Sequence, residues 1–537
     1  MTDNPFHSGE IEAQSRAGVG DMASRIGGFI RSYLPEQHRA FHTSLPFLIL
    51  SGADTQGRPW VTVLEGEHGF VTSPDPTTLC IKTPLDPQDP LSDAFEAGAD
   101  VGLLGIELAT RRRNRLSGRF RKASDGYAID IRQTFGNCPQ YIREREWHRV
   151  SGGAPGESRR SESLSDAQMD RIRAADTMFI GSGQRDDNDI PSNGYDASHR
   201  GGEPGFVQTV DATHLRIPDY AGNNFFNTIG NILKNRRVGL LFIDFETGGL
   251  LQITGRAQID WEPADANDPS ARRMIDVAIE AVVDRPSAIA LRWDTKGEQV
   301  RQLMLAEKVQ ESEHITSFYL TPVDGRPLPP FSAGQHLPIA LELTPPHGTV
   351  RRSYSLSAAS NGKTYRLSIK REDQGLVSRV MHDVLQLGHV IEARAPSGDF
   401  VLPCGDCPLV LASAGVGLTP MVAMLQEVAR EAGTRLAWFI HGARDGQSHA
   451  MKQSVEGIVA THRHIKKQVF YSQPDPQDCL GTDYDSVGRV SVEALLALNA
   501  GVKAHYMLCG PAAFVSQIQT GLEAAGVPSG HIHFETF

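Results

Sequence analysis

The hydrophobic pattern of the chain changes near residue 408, and the two patterns predict different kinds of sheet. Before that point, short apolar runs such as FLIL (47–50), VGLLFIDF (238–245) and LLQITGRA (250–257) alternate with turn clusters, which is typical of antiparallel strands. From Pro408 onward, PLVLASAGVGLTPMVAMLQEVAREA gives a strand, a glycine turn and a helix, and this alternation continues to the end. That order predicts a parallel sheet covered by helices.

The first half contains an internal repeat. GFVTSPDPTTLCI (69–81) matches GFVQTVDATHLRI (205–217), and VGLLGIELATRRRNRLSGR (101–119) matches VGLLFIDFETGGLLQITGR (238–256), at nearly the same offset. The repeat predicts a duplicated β-rich unit with one helix per copy, near LSDAFEAGA and near NFFNTIGNILKN. A few strands with one helix suit a small closed barrel, and two fused copies would pack as a built-in dimer.

Composition and charge exclude several classes of protein. The chain has 537 residues, 22% charged and 40% hydrophobic, which suits a globular protein of three or four domains. Its formal net charge of −11 argues against a general nucleic-acid binder. No apolar run approaches the roughly 20 residues of a membrane helix, and the polar N-terminus is not a secretory signal. Six scattered cysteines form no disulfide framework, so we expect a cytoplasmic protein.

The run LRIPDYAGNNFFNTIGNILKNRRVGLLFIDF, followed by LLQITGRA, resembles the FMN-binding split barrels related to pyridoxamine 5'-phosphate oxidase. FGNCPQYI (135–142) and SHRGGEPGFV (198–207) extend the resemblance to roughly residues 40 to 295. It implies two β split barrels produced by duplication, with FMN held over the start of a helix in the second copy.

The residues themselves indicate an anion site at that helix. Free N–H groups and the helix dipole favour a phosphate there, and Asn223, Asn224 and Asn227 can donate beside them. Ser198 and Arg200 could join them from the preceding strand, although a helix cap with exposed amides is the alternative interpretation. The basic run TRRRNRLSGR (110–119) in the first copy favours a solvent-facing strand, because alternation would send half of its arginines outward.

Five motifs in the second half occur in one order over about 235 residues: R-x-Y-S within VRRSYSLS (350–357), GLVS (375–378), SAGVGLTPM (413–421), CGP (509–511) and HFETF (533–537). Together they resemble the ferredoxin–NADP reductase superfamily, with the nearest likeness to the reductase part of flavohaemoglobins. The resemblance implies an antiparallel FAD-binding β-barrel followed by an α/β parallel-sheet domain that binds NAD(P).

The resemblance also implies roles in binding FAD. Arg352 would bind the pyrophosphate through charge-assisted hydrogen bonds, Tyr354 would stack on the isoalloxazine ring, and Ser355 would reach the N5 region where hydride arrives. The other residues assigned to FAD are Ser353 on the same strand and Gly375, Leu376, Val377 and Ser378 at the start of a helix.

For the nicotinamide dinucleotide, Gly415 and Gly417 would let the backbone approach, with Thr419 and Pro420 in the first helical turn. The nicotinamide would lie beside Cys509, Gly510 and Pro511. Glu535 and Phe537 lie at the end of the chain, where an aromatic residue of this superfamily covers the flavin. Ser355, Glu535 and Phe537 are therefore the predicted catalytic residues.

The sequence thus predicts an NAD(P)H-dependent flavin oxidoreductase that passes electrons from NADH or NADPH through FAD, and through FMN, to an unidentified acceptor. The alternative is an FAD-only reductase whose split barrels bind haem or dock a partner protein. Arg444 beside Asp445 leaves the choice of nicotinamide open, since arginine favours NADPH and aspartate NADH. No metal site is expected, and a homodimer is compatible with the sequence. The predicted domains are 1–165, 166–298, 299–403 and 404–537.

Overall fold

The computed structural model of the chain describes residues 4–20, 30–94, 98–123, 126–137, 141–151, 156–185, 190–220, 222–263, 271–295, 300–343, 348–373, 375–403, 405–431 and 435–536. The chain divides into two compact units, Met1–Lys296 and Gly297–Phe537. The predicted boundary at 298/299 falls beside this division, and the finer division into four domains stays a prediction.

The first unit consists mainly of antiparallel strands, each bounded by turns. Its helices are α1 (Ser8–Arg16), α2 (Glu36–Ser44), α3 (Asp166–Ala174) and α4 (Asn227–Lys234). Its strands are β1 (Phe47–Ala53), β2 (Pro59–Glu65), β3 (Val71–Asp75), β4 (Thr78–Ile81), β5 (Asp100–Glu107), β6 (Arg112–Ala123), β7 (Gly126–Asn137), β8 (Arg145–Arg149), β9 (Arg159–Ser161), β10 (Thr177–Gln184), β11 (Gly194–Gly201), β12 (Gln208–Asp211), β13 (His214–Asp219), β14 (Arg237–Ile243), β15 (Leu250–Asp260), β16 (Arg273–Arg285) and β17 (Leu291–Thr295).

The sequence repeat is also a structural repeat. The first sheet has the order β2-β1-β5-β6-β7-β4-β3, and the second has β11-β10-β14-β15-β16-β13-β12, which is the same order position by position. The short β9 is added beside β16, and β8 pairs with β17. The helix predicted at NFFNTIGNILKN is confirmed as α4, whereas residues 91–94 of LSDAFEAGA form turns and 95–97 lie outside the described residues.

The two copies approach each other through equivalent positions. A Cβ added to Gly102 of β5 would lie 2.6 Å from the Cα of Asp196 in β11, and one added to Gly239 of β14 would lie 2.8 Å from the Cα of Trp60 in β2. Gly102 and Gly239 are matched in the repeat, as are the strands that they approach, so the copies are related by an approximate twofold axis. Apolar side chains from both copies fill the core between them, including Ile49, Leu104, Phe179 and Leu241.

The second unit confirms the predicted order of an antiparallel barrel followed by a parallel sheet. Its helices are α5 (Leu376–Arg379), α6 (Leu418–Arg430), α7 (Lys452–Thr461), α8 (Val492–Ala497) and α9 (Ala512–Ala524). Its strands are β18 (Arg301–Gln310), β19 (Ile315–Pro322), β20 (His336–Leu343), β21 (Gly348–Ser355), β22 (Tyr365–Lys370), β23 (Val390–Ala393), β24 (Leu409–Ala414), β25 (Ala437–Ala443), β26 (Ile465–Tyr471), β27 (Ser486–Val487), β28 (His505–Gly510) and β29 (Ile532–Thr536).

The antiparallel sheet has the order β21-β20-β23-β18-β19-β22, and a bridge between Leu356 and Leu367 links its two edges. The parallel sheet has the order β27-β26-β25-β24-β28-β29. Strand order reverses beside β24, because the chain goes from β24 outward to β27 and then returns to β28. Ligands of open α/β sheets bind at such a reversal, outside the carboxyl ends of the strands.

Within the described part of the chain, no helix combines the length and the apolar character needed to cross a bilayer.

Candidate functional site

The R-x-Y-S strand lies at one edge of the antiparallel barrel, paired with β20. Arg352 and Ser353 are exposed, Tyr354 is half-buried, and Ser355 is buried where the strand enters the core. The Arg352 guanidinium donates to the carbonyl of Arg351 at 2.8 Å and otherwise extends into solvent. Burial raises the pKa of Tyr354 to about 12, so its hydroxyl stays protonated and can donate. The strand thus offers a cation, an aromatic ring and hydroxyls in sequence.

The GLVS motif lies beside that strand. Tyr354 and Leu376 pack against the same core, and α5 begins at Leu376, directly after Gly375. No side chain caps this helix start, so its first N–H groups have no side-chain acceptor. Ser378 is buried, and its hydroxyl donates to the carbonyl of Gly375 at 3.3 Å. Folding therefore brings the R-x-Y-S and GLVS motifs together, with Leu376 and Val377 as apolar support.

The glycine turn and the CGP motif meet at the reversal of the parallel sheet. Gly415 has a left-handed φ of +57°, and a Cβ on Gly417 would lie 2.2 Å from the carbonyl oxygen of Cys509. Ser413, Cys509 and Glu535 are neighbours across β24, β28 and β29. Burial first, and the charge of Glu535 second, raise the pKa of the fully buried Cys509 thiol well above its ordinary value. Cys509 is therefore a neutral, closely packed group.

The remaining predicted nicotinamide residues lie at the starts of two helices. Thr419 is buried and its hydroxyl donates to the carbonyl of Val416 at 3.1 Å, which closes the turn before α6. Pro420 lies in the first turn of α6, and Pro511 is the residue that precedes α9. Phe537, which the sequence predicts to be catalytic, lies outside the described residues.

In the first unit, the predicted anion site is a pocket between the two copies. We call it the arginine pocket. Its polar and aromatic lining consists of Arg113, Arg115, Tyr141, Ser198, His199, Arg200, Asp219, Tyr220, Asn223, Asn224, Phe226, Asn227, Thr228 and Arg273. All five residues predicted for FMN lie in this one lining, together with the start of α4. The first copy contributes β6, and the second contributes β11, β13, α4 and β16.

The arginine pocket has an excess of positive charge. Four arginines line it, against Asp219 in the lining and Asp196 just behind it. Arg115 pairs with Asp196, and its Nε donates to that carboxylate at 2.9 Å. Arg273 donates to Asp219 at 2.9 and 2.8 Å, and Arg200 reaches the same carboxylate at 3.3 Å. An anion of one or two charges would balance this set.

Buried polar atoms in the arginine pocket lack partners. Nε2 of His199, Nε of Arg200 and Oδ1 of Asn227 are buried without a hydrogen bond, and His199 and Asn227 are 4% and 9% exposed. Burial, followed by the charges of Arg113 and Arg200, lowers the pKa of His199 well below its ordinary value. Nδ1 of the neutral ring accepts a hydrogen bond from Nη1 of Arg113, 3.0 Å away, so the ring hydrogen lies on Nε2, which has no protein acceptor. Unsatisfied buried groups are rare in native structures, and a bound ligand is one of their explanations.

The backbone around the arginine pocket is strained. Tyr141, Asn224 and Phe226 have φ values of 65°, 61° and 61°, a region that residues other than glycine seldom adopt. Phe226 directly precedes α4 and provides no side-chain cap, so the N–H groups of the first turn of α4 face the pocket. Strain at three lining residues is typical of a functional site.

Sequence reasoning missed several residues of the arginine pocket. Arg113 and Arg115 belong to the basic run that favoured a solvent-facing strand, and that interpretation is wrong for them: both face the pocket, and Arg115 is buried. The alternation that places them together on one face was the available signal. Asp219 and Arg273 gave no local signal, because their role depends on pairing between β13 and β16.

Among the described residues, no group of three or more His, Cys, Asp or Glu side chains is arranged to hold a metal ion.

Comparisons with known proteins identify the second unit. Residues 302–402 match the oxidoreductase FAD-binding domain and residues 411–520 the oxidoreductase NAD-binding domain. The flavohemoprotein of Deinococcus radiodurans is 42% identical over 238 residues, 44% of this chain and 59% of that protein. The flavohemoprotein of Pseudomonas aeruginosa is 40% identical over 279 residues, 51% of this chain and 68% of that protein. The chain spans about three fifths of the length of most of the flavohemoproteins that it matches.

Among solved structures, the flavohem-like FAD/NAD-binding domain of nitric oxide dioxygenase from Vibrio cholerae is 32% identical, covering 44% of this chain and 98% of that one with a TM-score of 0.41. Through its C-terminal half the chain belongs to the ferredoxin reductase-like oxidoreductases, close to the reductase domain of flavohemoproteins. That half is an NAD(P)H-dependent flavin oxidoreductase with sites for FAD and a nicotinamide dinucleotide.

Proposed function

We propose that this chain, whose C-terminal half is a flavohemoprotein-like reductase, passes electrons from NADPH or NADH through FAD, and through FMN in the arginine pocket, to an acceptor still to be identified. Bound FAD would accept a hydride from the nicotinamide and release the electrons one at a time. The protein's own task is therefore to bind and align, with reacting atoms brought within about 3–3.5 Å.

In the second unit, the residues fit FAD and nicotinamide through shape and charge. Arg352 and the uncapped start of α5 would hold the pyrophosphate, and Tyr354 would lie along the ring system. Gly417 lets the turn after β24 contact the end of β28, where the flat nicotinamide ring would lie. The neutral Cys509 would pack beside that ring without reacting with it.

The arginine pocket is the observation that carries the FMN part of the proposal. FMN bears a phosphate, and the pocket offers arginines, amides and helix N–H groups at one place. The unsatisfied Nε2–H of His199 would offer the flavin a hydrogen-bond donor, and the unsatisfied Oδ1 of Asn227 would offer an acceptor. Tyr141 and Tyr220, stacked with centroids 5.1 Å apart, supply an aromatic wall.

Haem is the second candidate for the arginine pocket, and a specific observation favours it. His199 is buried and neutral, and its Nε2 has no protein partner. Nε2 could bind haem iron once the ring hydrogen moves to Nδ1, and the hydrogen bond that Nδ1 now accepts from Arg113 would then be lost. The arginines would then pair with propionates in place of a phosphate.

Release and identification of the bound cofactors tests the proposal. We expect FAD and FMN in the purified chain, and Arg113→Ala is expected to weaken FMN binding about tenfold or more and so to lower the FMN content, since a charge-assisted hydrogen bond contributes about 1.5–3 kcal/mol. FAD content should not change. Arg121→Ala is the matched control, because Arg121 lies on the same strand and pairs with Asp130 in solvent. FAD alone would refute the FMN assignment, and a Soret band would favour haem.

A further inference from the structure

The approximate twofold axis of the first unit requires a second position equivalent to the arginine pocket. The strand registers identify it. Gly102 pairs with Ser51, which pairs with Val61, just as Gly239 pairs with Gly181, which pairs with Ala197. The next residue along each strand is Thr62 in the first copy and Ser198 in the second. Thr62 is therefore the counterpart of Ser198.

The same reasoning relates β6 to β15. Leu104 pairs with Arg115, and its repeat partner Leu241 pairs with Gln252. Gln252 is therefore the counterpart of Arg115. The connection between β13 and β14, which contains α4, corresponds to the connection between β4 and β5, which contains Asp89.

Asp89 fills this second position with its own carboxylate. The side chain is 1% exposed, and its Oδ2 accepts from the hydroxyl of Thr62, from Nε2 of Gln252 at 3.3 Å and from Nη1 of Arg285 at 2.5 Å. Oδ1 accepts the backbone N–H of Leu91 at 2.9 Å. We call Asp89 with Thr62, Gln252 and Arg285 the Asp89 cluster.

The Asp89 cluster has the composition of an anion site with its anion in place. The carboxylate of Asp89 accepts hydrogen bonds from a hydroxyl, an amide, a guanidinium and a backbone N–H, and an ionised carboxylate can only accept. Burial raises the pKa of Asp89 above its ordinary value, and the charge of Arg285 acts against that rise. Arg285 is also held by Asp86, whose Oδ2 lies 2.7 Å from its Nη2.

We propose that the twofold-related position is an anion site permanently occupied by Asp89, so that the duplicated unit binds one FMN per chain and not two. The identity of the ligand, FMN, rests on the proposed function, whereas the number of ligands bound per chain rests on the Asp89 cluster. In the arginine pocket, Ser198 and Arg115 both donate to Asp196. Unlike the Asp89 cluster, this position is an open pocket, and it is lined by three further arginines and by the unsatisfied Nε2 of His199.

The first test counts the ligand. The full chain, freed of its N-terminal flavin and titrated with FMN, should take up one equivalent of FMN, with FAD in the second unit counted separately by chromatography. Two equivalents per chain would overturn the inference and leave the proposed function standing. No uptake would refute the FMN assignment alone, and the role of Asp89 would then be decided by the second test.

The second test replaces the internal carboxylate with an external one. Asp89→Ala keeps the Cβ and removes only the carboxylate, so formate should enter the space and restore the contacts to Arg285. We expect formate to raise the melting temperature of the Asp89→Ala chain by at least about 3 °C, saturating with concentration, or to restore folding that is otherwise lost. Sodium chloride at equal ionic strength should not do so.

Asp89→Asn is the matched control, because its amide fills the same space without charge and leaves no room for formate. Neither this variant nor the unsubstituted chain should respond to formate beyond the response to chloride. An Asp89→Ala chain that melts with the unsubstituted chain, or that folds and ignores formate, would show that the carboxylate does not serve as an internal anion.

Discussion

Gly417 fixes how closely the glycine turn approaches the CGP motif, and replacing it should damage nicotinamide binding. Its backbone, with φ −59° and ψ −8°, is one that alanine adopts without strain. A Cβ there would nevertheless lie 2.2 Å from the carbonyl oxygen of Cys509, 2.5 Å from its carbonyl carbon and 2.8 Å from the Cα of Gly510. All three neighbours are backbone atoms, so no side-chain rotation relieves the contact.

The size of the effect follows from that geometry. Overpacking of this kind costs about 1–3 kcal/mol of stability. To reach ordinary contact distance, the turn and the end of β28 must separate by about 1 Å, and a displacement of that size lowers the rate of a positioned reaction by about 100-fold. We therefore expect Gly417→Ala to lower kcat/KM for nicotinamide oxidation about 100-fold, with FAD content unchanged because the antiparallel barrel is not touched.

The assay is steady-state oxidation of NADPH and of NADH with an artificial acceptor, together with FAD content and the melting temperature. Gly457→Ala is the matched control: Gly457 lies in α7 with no atom within 4 Å of an added Cβ. That substitution should leave kcat/KM unchanged and stabilise the helix by about 0.5–1 kcal/mol. A Gly417→Ala chain with unaltered kcat/KM would show that the close approach does not shape the nicotinamide site.

Three further predictions concern single charges. Arg352→Ala should weaken FAD binding about tenfold or more, measured by flavin fluorescence on dilution, and Arg352→Lys should retain part of the affinity; equal affinity in all three chains would remove Arg352 from the FAD site. Burial raises the pKa of Glu10 from 4.5 to about 8, so the fold favours the neutral carboxyl, and its contribution is present below about pH 4.5 and lost as pH rises through about 8. Glu10→Gln should therefore gain stability relative to the unsubstituted chain by up to about 1.4 kcal/mol per pH unit in that window, and parallel melting curves would contradict this. Asp445 accepts hydrogen bonds from the backbone N–H and the hydroxyl of Ser448 at 2.9 and 2.7 Å, whereas the side chain of Arg444 is 71% exposed and can reach a ligand. Arg444→Ala should therefore raise KM for NADPH more than KM for NADH, and an equal change in both KM values would show that Arg444 does not bind the 2'-phosphate.

The second unit was predictable because its candidate functional residues lie in short contiguous motifs. Gly415 and Gly417 lie within one turn, and Arg352, Tyr354 and Ser355 within one strand, so the sequence itself keeps each set together. The repeat in the first half was equally visible, and the equal strand orders are its consequence.

The arginine pocket could be predicted only in part, because its members come from strands that are distant in sequence. The start of α4 is indicated locally by Asn223, Asn224 and Asn227. By contrast, Arg113 reaches His199 across the boundary between the copies. Glu10, buried against Asn227, comes from the first helix of the chain. Pairings of this kind depend on strand register and on packing, so they cannot be predicted from a local sequence pattern.

Covalent linkage of the two copies has an evolutionary consequence. When identical subunits associate about a twofold axis, every substitution appears at both interfaces at once, so neither can diverge alone. Here Asp89 and Arg285 occupy one interface, while Ser198 and Arg115 occupy the equivalent place in the other. If the arginine pocket binds FMN as proposed, fusion has allowed the two sides of a symmetric pair to specialise, one as internal structural support and the other as a receptor.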